Sequence, residues 1–372
     1  MSLVSEERIA NLVKEIESNP DVEKVLMLCL AGSHAYGTST PTSDTDIRGI
    51  FIAKKNVIRT PFKNVNELTV ESEEDAKVYE LNNFIKLFVD MNPNIIELGF
   101  TDDESVLYTT DTWEWAKDYL PKLLNTNVAY RFSGYAMSQL KRISGHSKWI
   151  NNPQPEKQPS QLDFFRLVQS YGDVPMPNLE VFLTHLKAYE GIATLVPFGA
   201  HLYGVVPDHR EDVQPMFNPD GSIRKLQYEE IPDQVKKQQP VFIVKYMYDE
   251  HKLAKEKHHN YWEWVKNRNA ARHELEEKYG YDTKHAMHLV RLLRMGEEIL
   301  KGEGVKVRRP DAQELLDIRN GKFTYDELVS WAEEKDRYIT KELYHQSELL
   351  KRSNLRVAER MILEAQDSVW DA

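Results

Sequence analysis

The sequence predicts an α+β protein. An N-terminal mixed sheet with flanking helices spans about residues 1–110, and a mainly α-helical lobe with an irregular insertion at about 150–248 spans residues 111–372. Three observations carry this expectation. Short apolar runs of strand length alternate with helical patterns in the first third of the chain. A Pro- and Gln-rich stretch at 150–160 (INNPQPEKQPS) marks a linker. From Asp249 onward the apolar spacing is helical throughout.

Residues 5–17 form an amphipathic helix with Ile9, Leu12, Val13 and Ile16 on one face. Val25–Ala31 is a continuous apolar run, as expected of a strand buried on both faces. Gly32–Ser43 reads as a loop or short helical turn, and Asp46–Ala53 returns as a strand. Residues 54–74 are polar and hairpin-like, and Asp75–Leu81 is a third strand. Phe84, Ile85, Phe88 and Val89 continue as a helix to the Asn92-Pro93 break. Residues 112–149 read as helix, with Thr112 as its cap. Residues 200–245 are the least helical stretch after that, with a turn at Asp220-Gly221 and a strand at Pro240–Tyr246. Thr324–Glu327 is a capping box, and Gly321 suits the end of the preceding helix.

The longest apolar run, Val25–Gly32, is far below the ~20 residues a membrane helix needs. No basic-flanked apolar leader is visible, and a cytoplasmic protein is expected. A single cysteine, Cys29, excludes an internal disulfide and a thiolate metal cluster. Residues 1–120 hold 22 Asp+Glu against 11 Lys+Arg; from totals of 59 and 48, the other 252 residues hold 37 of each. The whole net charge of −11 therefore sits in the first third. A uniformly acidic surface repels nucleic acid, but an acidic lobe can hold cations that in turn hold phosphate.

The stretch that carries chemistry is Ala31–Ile52. A buried strand ends in Gly32-Ser33; ten residues later comes Asp44-Thr45-Asp46, followed at once by a strand. Residues two apart in a strand share a face, so Asp44 and Asp46 are expected to project together. Adjacent carboxylates repel unless a cation lies between them, and hard divalent ions prefer oxygen ligands. Glycine permits close backbone approach to phosphate, and serine adds a hydroxyl and an amide. Asp75 is the best candidate for a third carboxylate and Glu80 the second; their opposite parity lets only one face the site. Ser43, just before Asp44, joins Gly32 and Ser33 as a candidate phosphate contact.

Gly-Ser, ten residues, then Asp-x-Asp between two strands resembles the signature of the DNA-polymerase-β-type nucleotidyltransferase superfamily. The wording of GSHAYGTSTPTSDTDIRGIF, DAKVYEL-x-x-F, NPNIIELGF and YDTKHAMHLVRLLRMGEEIL is similar to its YcgL-type branch, which includes RNA-ligase-associated nucleotidyltransferases. The resemblance covers residues ~25–110 and ~260–330. It implies that residues 1–110 are a catalytic domain. It also implies attack of an acceptor hydroxyl on the α-phosphorus of an NTP, with release of pyrophosphate. Mg²⁺, or Mn²⁺, would occupy a two-metal site of Asp44, Asp46 and Asp75. The implied acceptor is an RNA terminus, tRNA or another short RNA, in RNA repair. The alternatives are AMPylation of a protein hydroxyl and a non-catalytic nucleotide- or RNA-binding module.

A second basic feature is the helix 282–300, capped by Asp282 or Thr283. Lys284, His288 and Arg291 fall on one face, and Lys284 and His285 lie in the first turn, where the helix dipole disfavours cations. With the nucleotidyltransferase reading, Lys284, His288 and Arg291 become candidate nucleotide-phosphate contacts. Lys306–Arg309 is a basic run whose reading as a solvated loop is favoured over phosphate contact. Arg268, Asn269 and Arg272 form a polar cluster, and Tyr135, Gln139 and Arg142 share a helix face that can line a cleft. His251, His258 and His259 read as exposed helix rather than zinc ligands. Tyr261, Trp262 and Trp264 read as core or interface, and Cys29 as core. Ser33-His34 lacks the elbow and acid partner of a hydrolase.

Overall fold

The computed structural model describes residues 3–70, 72, 75–171, 179–189, 191–220, 222–224, 228–267 and 270–371. The chain divides into two compact units, residues 1–151 with 270–372, and residues 152–269.

In the first unit the elements run α1 (Glu6–Ser18), β1 (Val22–Leu30), α2 (Gly32–Tyr36), β2 (Ile47–Ala53), α3 (Lys55–Arg59), β3 (Glu67–Thr69), β4 (Ala76–Glu80), α4 (Leu81–Val89), α5 (Pro93–Gly99), β5 (Val106–Thr109), α6 (Asp111–Lys117) and α7 (Val128–Asn151). The second unit holds β6 (Phe165–Ser170), α8 (Leu179–Ala188), β7 (Ala193–Gly199), β8 (Leu202–Pro207), α9 (Asp233–Lys236), β9 (Phe242–Tyr246) and α10 (Tyr248–Lys266). The first unit resumes with α11 (Ala270–Tyr279), α12 (Thr283–Leu300), α13 (Ala312–Arg319), α14 (Tyr325–Arg337), α15 (Tyr344–Gln346) and α16 (Leu355–Trp370).

The first sheet is mixed, in the order β3-β4-β2-β1-β5. β1 is antiparallel to β2 and β5, and β2 is parallel to β4. The apolar run of β1 has the expected cause: Val25 and Leu28 pack with Leu12 and Ile16 of α1 on one face. Leu26, Met27 and Cys29 pack on the other face, in the large core shared with α4, α7 and α12. The mixed sheet and the helical C-terminal part agree with the predicted fold class.

Several boundaries differ from expectation. β2 starts at Ile47, one residue after Asp46. Residues 54–74 hold α3 as well as β3, the latter paired antiparallel to β4. The cap of α6 is Thr110, not Thr112: its extended backbone leaves β5 and its Oγ1 accepts the Trp113 amide at 3.4 Å. The helix expected over 112–149 breaks at Pro121, in a 3₁₀ turn, and at Asn125. The Asn125 side chain donates to Val89 O (3.0 Å) and accepts the Asn127 amide (2.8 Å), which fixes the chain outside a helix.

Residues 152–269 are more regular than the composition suggests. Their four strands form an all-antiparallel sheet, β6-β9-β8-β7, over a core that includes Phe165, Phe182 and Phe242. Asp220 does anchor a turn, its Oδ1 accepting the Ser222 amide at 2.9 Å. His251 and His258 are buried rather than exposed. Their Nε2–H groups donate to Pro159 O (3.0 Å) and Pro155 O (2.9 Å), pinning the linker carbonyls. Trp262 donates to Pro155 O as well, and Tyr261 is core. Among the described residues no helix is long and apolar enough to cross a membrane.

The capping box is present: the Thr324 hydroxyl accepts the Glu327 amide and the Glu327 carboxylate accepts the Thr324 amide. Thr324→Ala is expected to cost about 1 kcal/mol. Hydrogen exchange should show faster opening of the α14 amides, and unchanged exchange there would contradict it.

Candidate active site

The site is built where β1 ends. Ala31 stays extended, its amide donating to Asp46 O at 2.9 Å. The chain then turns at Gly32, whose φ of +59° is left-handed and favours glycine. A Cβ at Gly32 would lie 2.3 Å from Oδ2 of Asp46. The missing side chain is therefore what lets the Asp46 carboxylate rest against the start of α2. Ser33 O accepts the Thr38 amide (2.9 Å), closing α2 beyond Gly37.

Between α2 and β2 the chain loops out. Ser43 is committed to this loop: its amide donates to Thr40 O (2.9 Å) and its Oγ accepts the Thr40 amide (2.8 Å). Asp44 is exposed on the loop, whereas Asp46 is half-buried and lines a cavity of about 340 Å³. Gly32, Ala35, Tyr36, Cys29, Arg48 and Lys77 are among its other walls.

The strand register explains this set. Cys29 of β1 pairs with Arg48, Arg48 with Lys77 of β4, and Ile50 with Tyr79. Cross-strand partners share a face, so these side chains converge. Arg48 Nη2 lies 3.6 Å from Asp46 Oδ1, and its Nη1 donates to Ile47 O (2.8 Å) and to Asp75 O. Asp75 is exposed and directly precedes β4; its carbonyl accepts the Ile47 amide at 3.4 Å. It shares the parity of Lys77 and Tyr79. Glu80 has the opposite parity. It is buried, caps α4 by accepting the Asn82 amide (2.6 Å), and lines a separate cavity of about 200 Å³ with Lys63 and Lys86.

A buried ionic cluster supports the cavity. Glu97 of α5 accepts a hydrogen bond from the Tyr36 hydroxyl at 2.5 Å and pairs with Arg291 of α12. The Arg291 guanidinium lies 3.8 Å over the Tyr36 ring. Burial opposes the Arg291 charge, but the neighbouring Glu97 raises its pKa above the ordinary value. Burial also raises the Tyr36 pKa. The Cys29 thiol is pushed up to about 11, chiefly by burial, so this wall residue is no thiolate nucleophile at neutral pH.

The helical-lobe candidates are placed differently from one another. Lys284 and His288 are half-buried and do not line the cavity, whereas Arg291 is only 4% exposed and acts on Tyr36 and Glu97. The three share one face of α12, as expected, but differ in burial along it. Arg309 is buried against Glu298 and Asp311 rather than solvated, and its amide donates to Tyr36 O (3.1 Å). Lys306 pairs with Glu303, and Arg308 with Glu104. Tyr135 OH accepts from Asn92. Arg268 and Asn269 lie outside the described residues, as does the side chain of Arg272.

The sequence reading missed Arg48, Lys77, Tyr36 and Glu97. Two of them had a signal: Arg48 follows Asp46 by two and Lys77 follows Asp75 by two, so each shares its acid's strand face. Among the described residues the carboxylates of Asp44, Asp46 and Asp75 do not gather within 4.8 Å of one another, and of the three only Asp46 lines the cavity. All three offer the oxygen donors that a hard divalent cation prefers.

Residues 5–151 match the family described as "RlaP: RNA repair pathway DNA polymerase beta family". This part of the chain is thus similar to polymerase-β-type nucleotidyltransferase domains. A curated relative, an uncharacterized 38.9 kDa protein in the nrdC-mobD intergenic region of Enterobacteria phage T4, is 30% identical over 130 residues. That match spans 32% of this chain and 38% of the relative's own length.

Two outcomes follow from the buried groups. Arg291→Ala leaves the Glu97 carboxylate buried without its cation, which is expected to cost about 3–5 kcal/mol in chemical denaturation. A loss below about 1 kcal/mol would contradict this placement. Burial raises the Glu80 carboxyl from 4.5 to about 7. The folded state then holds this proton more tightly than the unfolded chain does. The group's stabilising contribution is complete below pH 4.5 and is lost as pH rises through about 7. Glu80→Gln keeps a capping oxygen without the charge. Its stability relative to the native chain should grow by on the order of 1–3 kcal/mol from about pH 5 to about pH 8. A pH-independent difference would contradict it.

Proposed function

We propose that the chain transfers a nucleoside monophosphate from an NTP to an acceptor hydroxyl, releasing pyrophosphate, and that the acceptor is an RNA 3′ end in RNA repair. The observation that carries the reading is the Asp46 carboxylate set against side-chain-free Gly32 at the cavity wall, within the matched domain. The family description supports the repair context. The acidic first third argues for a short contact at an RNA terminus rather than a long footprint.

Asp44, Asp46 and Asp75 would hold Mg²⁺, which when bound supplies charge neutralisation at the triphosphate and a lower pKa at the acceptor hydroxyl. Gly32 and Ser33 admit the triphosphate close to the backbone. Arg48 and Lys77 present fixed positive charge from the same sheet face and counter the phosphate charge. Ser43 holds the loop that carries Asp44. The acceptor oxygen attacks the α-phosphorus in line as the bond to pyrophosphate breaks, and Asp75 is the residue assigned to take the hydroxyl proton. Arg291 and Glu97 position α2 from beneath and touch no substrate.

The test is incubation with each α-labelled NTP, Mg²⁺, and either short RNA or a protein lysate. Label is expected on RNA. Asp44→Ala and Asp46→Ala should each lower transfer by at least ~10³-fold, the equivalent of several kcal/mol of electrostatic stabilisation, while the protein stays folded. Label on protein alone would refute the RNA acceptor. Transfer that persists in Asp46→Ala would refute the site.

A further inference from the structure

The first turn of α12 forms, with α7, a second cluster of ligating groups outside the cavity. His146 comes from the C-terminal part of α7; Asp282 caps α12 and His285 follows three residues later. One ligand atom from each lies within 4.8 Å of the others. The Asp282 side chain is 2% exposed, and the two imidazoles are partly buried. We propose that His146, Asp282 and His285 form a binding site for a zinc-class divalent cation, with three protein ligands and a fourth position open.

Two of the three ligand-to-ligand distances have the length expected around a bound ion. His146 Nδ1 and His285 Nε2 each lie 3.5 Å from Asp282 Oδ2. A charge-assisted hydrogen bond closes to about 2.7–2.9 Å. Ligands bonded at about 2.0–2.1 Å to a tetrahedral ion stand roughly 3.3–3.4 Å apart. The observed spacing thus falls close to the edge of a tetrahedron.

The carboxylate is already oriented for this role. Asp282 Oδ1 accepts the His285 amide at 3.0 Å, which caps the helix and turns Oδ2 toward the two rings. The His146 ring is further held by stacking on Trp149, with centroids 5.8 Å apart and planes at 22°. The His146 and His285 rings lie 5.9 Å apart. Fixing ring orientation around a ligand set is what outer partners do in metal sites.

The donor types select the ion. Two imidazole nitrogens with one carboxylate suit Zn²⁺, Co²⁺ or another borderline ion, whereas Mg²⁺ prefers an all-oxygen set. This site is therefore chemically distinct from the Asp44/Asp46/Asp75 group and would hold a different metal. A bound ion would fasten the start of α12 to α7.

Cobalt(II) titration of the full-length, chelator-stripped protein tests it. One equivalent should give the visible d–d bands of a low-coordinate nitrogen–oxygen site, and Zn²⁺ should abolish them. His146→Gln and His285→Gln keep side-chain volume; each should weaken Co²⁺ binding by at least ~100-fold while far-ultraviolet circular dichroism stays unchanged. Asp46→Ala should bind Co²⁺ as the native chain does. Absence of the bands in the native protein would overturn the proposal. So would bands that survive both His substitutions or that vanish in Asp46→Ala.

Discussion

One carboxylate organises the first unit. Glu97 receives the Tyr36 hydroxyl and the Arg291 guanidinium in the same dry place, joining α2, α5 and α12. An ion pair with both partners under 9% exposed has a large desolvation cost, so it holds its geometry strictly and tolerates loss of neither partner. Its consequence lies above it. Tyr36 is the last residue of α2, and α2 begins at the glycine against which Asp46 rests. The position of the acidic site is thereby tied to a helix nearly two hundred residues further along the chain.

Much of the site was legible because its parts are local. An apolar strand, a Gly-Ser turn, a loop of fixed length and an Asp-x-Asp before another strand are all close in sequence. Their convergence follows from the strand period and from antiparallel pairing of β1 with β2. Capping at Asp282 and Thr324 was legible for the same reason. What stayed hidden depends on register and distance. Arg48 and Lys77 meet only because β2 and β4 are parallel with Arg48 opposite Lys77, and no local pattern fixes that offset. Arg291 shares a helical face with Lys284 and His288, but its partner is a buried acid far away in sequence, which no local pattern shows. The sheet of residues 152–269 was hidden because two of its three connections are long and the pairings of β6 with β9 and of β7 with β8 are irregular.

The two places differ in the side chains that they bring together. Beside Gly32 the cavity wall carries the Asp46 carboxylate together with Arg48 and Lys77. The cluster on α7 and α12 instead brings two imidazoles to a buried carboxylate. Neither requires a thiolate, and the lone cysteine, with its thiol pushed up to about 11, is core in both senses.

The most direct measurement is a crystal structure with Mn²⁺ and a non-hydrolysable NTP, with Mn²⁺ located by anomalous scattering. The account requires an anomalous peak at bonding distance from the Asp46 carboxylate, with the triphosphate passing beside Gly32. A nucleotide bound elsewhere on the molecule, or a triphosphate beside Gly32 with no metal on Asp46, would contradict it.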